Sequence, residues 1–564
     1  MRVIIIIMRV RDYLRFIYFI PLLLIGFSVS AALVSPADQA TIEHQQKVLL
    51  DRAQQQREVL QNTISVSELP LSNEHLAADS CQNIHHIDLQ GASLLPPSTT
   101  ERLLSPWRQR CMSLSDISTL VRDITQAYLE RGYITSQAWL PEQDISSGIL
   151  VIRATEGKTE SITLEGGSSI LISMAFPDLI GKAVNLRDLE QGLEQMNRLS
   201  SRSVTIDIQP GTIPGYSQVV LIPAEWRFPA RVNISVDNSG QKSTGSSQLS
   251  ASLVVDNPLR FADQWTVSAS RDGEFHHDRQ SRSFSISATL PYGYWLFSTQ
   301  YSWSDFYQTV PANAGTYRYD GTVQAWQAGV NRTLYRDGSQ RFALDIALSR
   351  RRTENRLAGT RLSISSPTLT SLTSGLGYSR VLGGGYVTFN PAITIGLKEM
   401  GATRDSNAHP DAPRSEFRRF SLSASYFYPL SPSLTYMTSF YGQTSPDNLY
   451  ASERISAGGI YSVRGFKEQS LTGNRGGYWR NELNWQAMTL PDLGELSFTG
   501  ALDGGHIIGR RRLADGGDIA GISAGFSLHG SQLSQSLTIG APLVYPNSLE
   551  PDRWVVYWLA GVSF

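Results

Sequence analysis

The sequence predicts a membrane β-barrel of about 16 antiparallel strands, preceded by two small α+β modules and an amino-terminal helix. Three observations predict it. Segments with period-2 alternation run from about Trp226 to the end of the chain, and aromatic residues crowd the ends of those segments. Ahead of them, the order strand, helices, two strands occurs twice.

Composition removes several classes first. The chain has 564 residues, 41% of them hydrophobic, so two or three structural units are expected. A formal net charge of -1 gives no basis for nucleic acid, or for an anionic membrane surface, as the main partner. With 2 cysteines the chain is neither a disulfide scaffold nor able to hold a zinc-type cysteine cluster.

Residues 1–32 read as a secretory signal peptide. Arg2, Arg9, Arg11 and Arg15 precede the apolar run from Phe16 to Phe27, and Ser28, Ser30, Ala31 and Ala32 supply the small residues of a cleavage site. That run falls short of the ~20 apolar residues a spanning anchor needs. The reading holds whether Met1 or Met8 is the start. No later segment supplies such a run, so membrane insertion must be by strands.

Residues 33–62 open on Ser35-Pro36-Ala37-Asp38, a hydroxyl cap, a first-turn proline and an acid at the positive end of the dipole. A helix from there to about Gln61 carries Gln39, Gln45, Gln46, Gln54, Gln55, Gln56 and Gln61, with only scattered apolar positions such as Ile42, Leu49, Ala53 and Leu60. Polar on nearly every side, it is no core helix. It is either exposed or housed in a polar cavity, unless the segment is a low-complexity linker. Its length of roughly 40 Å would cross a barrel lumen.

Residues 63–80 read as a linker. In the first module, 81–156, a strand Ile84–Leu89 precedes a weak helix near Thr99–Leu104 and a strong one from Ser115 to Arg131. The strong helix places Ile117, Leu120, Val121, Ile124 and Tyr128 on one face and stops at Gly132. Strands Tyr133–Leu140 and Gly148–Arg153 complete it. The second module, 157–224, has a strand Ser161–Leu164, a helix Leu186–Leu199 capped by Asn185, and strands Ser203–Gln209 and Ser217–Ile222. Each order gives a small sheet with helices on one face and an open edge able to accept an extended peptide. Cys81 and Cys111 share one module of an exported chain, which points to a structural disulfide. Closing that loop stabilises by roughly 3.5 kcal/mol in the chain-entropy model.

Residues 225–564 form the barrel. Phe284 to Leu290, Phe420 to Ser425 and Leu533 to Ile539 alternate apolar with small or polar residues. Tyr292, Trp295, Tyr301, Trp303, Tyr426, Tyr428, Trp479 and Trp485 fit interfacial girdles. A soluble sandwich also alternates, but the export signal argues against it. Trp554 to Phe564 is one alternating strand ending on phenylalanine. Between two such strands, Gly458 to Phe466 is a glycine-rich loop holding Arg464, which needs a partner; Asp503 is a candidate.

The loop Val463-Arg464-Gly465-Phe466 resembles the Val-Arg-Gly-aromatic loop of the outer-membrane transporters related to barrel-assembly factors. The chain as a whole resembles two-partner secretion transporters of the haemolysin-activator type. Val236 to Gly240, Ser243-Thr244-Gly245 and Asp256-Asn257-Pro258-Leu259 match the first hairpin of that family. Its second motif, an aspartate with glycine two residues on, is met by Asp503 and Gly505, with Ala501 departing from the usual Phe or Gly. The resemblance implies that the amino-terminal helix plugs the pore and that the modules are polypeptide-transport-associated (POTRA) domains. It also implies that Arg464 and Asp503 form a charge pair in the lumen, worth up to about 4 kcal/mol before desolvation. Phe564 is then the signal read by the barrel assembly machinery.

The function this implies is export of a cognate secreted exoprotein, recognised at its amino-terminal secretion domain, from the periplasm across the outer-membrane lipid. A haemolysin, an adhesin and a contact-dependent growth-inhibition toxin are all clients of such transporters. Two alternatives stand beside it, a barrel-assembly factor and a passive porin. No enzyme motif and no cofactor are expected. His85-His86 and His276-His277 lack a third metal ligand, Gly383-Gly384-Gly385 reads as a turn, and Arg510-Arg511-Arg512 as a solvated loop.

Overall fold

The computed structural model describes residues 35–63, 81–165, 167–201, 203–224, 227–312, 315–405, 411–509 and 516–564. The signal peptide, residues 64–80 of the linker and Arg510-Arg511-Arg512 lie outside the described residues.

Helix α1 (Pro36–Gln61) starts at Ser35, whose hydroxyl accepts the Asp38 N–H at 3.1 Å. The first module comprises β1 (Gln82–Ile84), β2 (His86–Gln90), α2 (Pro97–Leu104), β3 (Arg110–Met112), α3 (Leu114–Glu130), β4 (Gln137–Trp139) and β5 (Ile149–Thr155). A reciprocal capping box begins α3: Asp116 N–H donates to Ser113 Oγ at 3.2 Å and Ser113 N–H to the Asp116 carboxylate at 2.9 Å. The α3 face expected to be apolar buries Ile117, Leu120, Ile124 and Tyr128 against Ile84, Leu150 and Ile152. Each such fully buried side chain contributes about 1.5–3 kcal/mol.

Two expectations for this module need correction. The strand expected over Ile84–Leu89 is broken, because the N–H groups of His85 and His86 both turn to the Gly148 carbonyl, at 2.7 and 3.2 Å. The chain thereby changes partner: β1 pairs with β3, and β2 runs parallel to β5. The strand expected from Tyr133 shrinks to β4, since Tyr133 N–H closes back on Tyr128 and Ser136 N–H on Tyr133 in tight turns.

The second module comprises β6 (Lys158–Leu164), α4 (Ser169–Ala175), α5 (Leu186–Asn197), β7 (Val204–Pro210) and β8 (Tyr216–Pro223). Helix α4 was not expected; at one or two turns it carries no readable periodicity, and Ser168 caps it. Asn185 caps α5 through the Arg187 N–H at 2.9 Å, and its amide also reaches Arg131 O at 3.0 Å, joining the modules. The sheets are ordered β2-β5-β4 and β6-β8-β7.

Among the described residues, sixteen antiparallel strands close a barrel, with the two-residue strand Thr360–Arg361 extending one hairpin. The first strand, Ala230–Asp237, pairs with the last, Val555–Ser563, from Leu559↔Asp237 to Ser563↔Asn233. Ile234, Leu253, Phe284, Trp326, Ile346 and Phe526 are exposed on the outer face, and the alternate residues line the lumen.

The second module packs on one end of the barrel. Gly293 N–H meets Met174 O at 2.8 Å, Tyr294 Oη donates to Asp188 at 2.6 Å, and Arg336 and Arg341 each reach Glu194 at 2.9 Å. If the modules are POTRA domains, as the resemblance implies, this is the periplasmic end.

Helix α1 stands inside the lumen. Ala37 packs on Phe306 and Val323 at the outer end. Arg52 pairs with the inward-facing Asp345, Gln56 donates to Asn390 at 2.8 Å, and the Arg57 guanidinium lies 4.2 Å over Phe427 near the periplasmic end. A glutamine-rich helix suits this position, because apart from a few buried apolar residues such as Ala37, Ile42 and Leu60 it meets water or polar wall residues.

Candidate functional site

The loop joining strands Leu434–Thr444 and Gly476–Leu490 folds back into the lumen. Its arms, Ile455–Ala457 and Leu471–Gly473, form a short hairpin, and Val463-Arg464-Gly465-Phe466 is the tip. Val463 and Phe466 are fully buried with Ile455, Leu471, Tyr478, Ile507 and Ile519. Gly465 has φ +103, and a Cβ there would meet the Ala541 carbonyl oxygen at 2.5 Å. Both facts require glycine.

The structure brings Arg464 and Asp503 together. Arg464 Nε and Nη2 donate to the two Asp503 oxygens at 2.6 and 2.7 Å, and the Arg464 backbone N–H adds a third bond at 3.0 Å. Such a fork fixes orientation as well as distance. The Asp503 side chain is fully buried, so neither partner could be removed without leaving a stranded charge.

Sequence reasoning missed the rest of this network. Arg464 Nη1 donates to Glu482 at 2.5 Å, Arg480 lies 3.6 Å from the same carboxylate, and Arg480 Nη1 reaches the Ile460 carbonyl at 2.9 Å. Two arginines and two acids make a neutral cluster on the wall. Glu482 and Arg480 sit on a strand whose inward parity is legible, but nothing in sequence shows which inward residues meet the tip.

The seat is equally a matter of register. Asp503 pairs with Gly521, and a Cβ on Gly521 would meet Arg464 O at 1.8 Å. One on Gly540 would meet Gly465 N at 2.8 Å. Tyr557 Oη donates to Phe466 O at 2.5 Å. Gly505, two residues beyond Asp503, lies under Tyr478, whose Cβ would be 3.2 Å from an added methyl.

A second ionic knot ties the base of the loop. Glu453 receives Arg419 at 2.5 Å and Arg351 at 3.3 Å from the wall. Helix α1 touches the loop directly, with Gln46 donating to Ser456 O at 2.8 Å. Helix, loop and wall thus form one polar assembly filling the lumen. Its paired charges and amides can bind, orient and release.

The remaining predicted residues lie elsewhere. Cys81 and Cys111 are bonded, with Cα atoms 5.3 Å apart. Phe564 pairs through its backbone with Val232, at 2.9 and 3.1 Å, and its side chain faces outward. His276 lies 3.5 Å from Glu274. Gly383 and Gly384 form a turn with positive φ.

Residues 215–528 match the family described as haemolysin secretion/activation protein ShlB/FhaC/HecB. Residues 82–157 match the ShlB-type POTRA domain and 158–210 a POTRA domain. The chain is 40% identical over 544 residues to the outer membrane transporter CdiB of Dickeya dadantii, covering 96% of this chain and 97% of the relative. It is 32% identical over 484 residues to the haemolysin transporter ShlB of Serratia marcescens, covering 84% of each. The solved structure of CdiB from Escherichia coli superposes with a TM-score of 0.91 at 39% identity, covering 95% of this chain and 100% of that one.

Proposed function

The chain belongs to the haemolysin secretion/activation family ShlB/FhaC/HecB, and from that membership we propose a working cycle for its lumen. As a two-partner secretion transporter of the outer membrane, it serves a cognate exoprotein. In our reading the two periplasmic modules bind the amino-terminal secretion domain of that client. An open edge strand, among β2, β4, β6 and β7, accepts it as an extended segment by main-chain pairing. Helix α1 then leaves the lumen, the loop tip stays on Asp503 to shape the path, and the client passes as an extended chain and folds outside.

The observation that carries this reading is the nature of the obstruction. Apart from a small apolar contact of Ala37 with Phe306 and Val323, helix α1 is held largely by scattered polar contacts, among them Arg52 to Asp345, Gln56 to Asn390 and Gln46 to Ser456. Water can replace each of them as the helix departs, so the plug is removable. The loop tip, by contrast, is seated through a buried bidentate pair and close backbone contacts at Gly465, Gly521 and Gly540, which water replaces poorly.

The test is to express the chain with the large exoprotein encoded alongside it and to measure that exoprotein in medium and periplasm. Appearance in the medium only when the chain is present, with other barrels unchanged, is expected. Unchanged export together with a general loss of outer-membrane barrels on deletion would assign the chain to barrel assembly instead.

A further inference from the structure

The segment Asp256-Asn257-Pro258-Leu259 has no part in the lumen site. It begins the periplasmic turn between strands Gln248–Asp256 and Gln264–Asp272. Three non-glycine residues there, Asn257, Arg260 and Ala262, have φ of 57, 69 and 58, a conformation that L residues hold only when neighbours enforce it. Asp263 does so by accepting the N–H groups of Leu259 and Phe261 at 3.3 and 3.2 Å. Asn257 Oδ1 accepts the Ala262 N–H at 2.9 Å.

The turn held this way has two sides. One enters the second module: Ala262 is fully buried in its core, Arg198 donates to the Ala262 carbonyl at 2.5 Å, and the Ser201 N–H donates to Asp256 at 3.0 Å. The other side points away, with Leu259 56% and Phe261 43% exposed and Arg260 exposed between them. Phe228, 82% exposed, lies alongside, since the Asp256 N–H donates to the carbonyl of its neighbour Pro229 at 2.8 Å.

We propose that Leu259, Arg260, Phe261 and Phe228 form a lipid contact in the periplasmic leaflet of the membrane. The apolar side chains enter the acyl boundary and Arg260 pairs with the phosphate of an anionic phospholipid. Continuity with the lipid-facing wall supports this. The outward residues Leu249, Ala251 and Leu253 on one strand, and Ala269, Val267 and Trp265 on its partner, lead directly to the turn. Trp265 occupies the boundary position with its indole N–H satisfied by Asp263 at 2.8 Å, as suits an interfacial tryptophan. An exposed guanidinium between two apolar residues matches a phosphate above acyl chains. Because the same turn is buttoned into the second module, the lipid contact fixes that module against the membrane. The proposal goes beyond the transport reading and is independent of any client.

The test uses the full chain. Its 2 cysteines are bridged to each other, so F261C offers one thiol for an environment-sensitive fluorophore, and I213C, exposed on the hairpin between β7 and β8, serves as control. Each labelled protein is floated with vesicles of phosphatidylethanolamine plus either phosphatidylglycerol or phosphatidylcholine carrying brominated acyl chains. Quenching at position 261 and not at 213 is expected, stronger with phosphatidylglycerol by up to about fivefold, with that preference abolished by R260Q. Quenching at 261 no greater than at 213 would overturn the contact. Equal quenching by the two lipids with Arg260 intact would overturn the anionic assignment.

Discussion

Gly521→Ala tests whether the loop tip must be seated. The added Cβ would stand 1.8 Å from the Arg464 carbonyl oxygen, where real contacts essentially never fall under 3.0 Å, so tip and wall must separate by more than an ångström. The guanidinium bonds to Asp503, at 2.6 and 2.7 Å, cannot survive a shift of that size along their axis. Breaking a buried ion pair costs about 3–5 kcal/mol, and overpacking elsewhere about 1–3. Taking about 3 kcal/mol, the ratio of seated to unseated tips falls on the order of 100-fold. The assay is exoprotein export together with single-channel conductance of the purified protein in planar bilayers. Gly500→Ala, where nothing lies within 4 Å, is the control. Export is expected to fall severely, with noisier conductance, in Gly521→Ala alone. A correctly inserted Gly521→Ala protein that exports and conducts like the parent would refute the reasoning that the seat holds the tip in place.

Three further outcomes are expected. Asp345→Asn removes the acidic partner of Arg52 and should weaken the plug by about 1 kcal/mol, raising open probability severalfold in bilayer recordings at low salt, with a smaller effect at high salt. Reduction, or Cys81→Ser with Cys111→Ser, should destabilise the first module by roughly 3.5 kcal/mol, read as earlier proteolysis of that module on heating. The backbone and hydroxyl bonds of Ser113 hold the Asp116 carboxyl below its usual range. The stability this contributes is present above the unfolded-state value and is lost as pH falls through the depressed one. Ser113→Ala should cost about 1 kcal/mol at neutral pH and flatten the acid limb of a pH-dependent melt.

Much of this architecture is written locally. Asn185 and Ser35 announce their helices because a capping side chain acts within three residues, and alternation marks the strands because pleat and burial share one period. What stays hidden depends on pairing across distance. The break at His85 is set by Gly148, far along the chain, and α4 is too short to show a period. Arg464 and Asp503 were readable because each lies in a recognisable motif. Glu482, Arg480, Gly521 and Gly540 were not. Their importance arises only when strand register stacks them beneath the tip, and a glycine in a strand reads as a bulge until something is seen resting on it.

Helix α1 has its first turn at the outer mouth and its last near the periplasmic end, where the chain continues toward the first module. The residues between Thr63 and Cys81, at no more than ~3.5 Å each, reach at most ~60 Å. A helix that leaves therefore stays on a leash, at an effective concentration of about millimolar relative to its own site. In the proposed cycle this tether alone would bring the helix back to its site. Once a client's last residues clear the lumen, the helix would compete only with water, and the same molecule that opened the barrier would restore it.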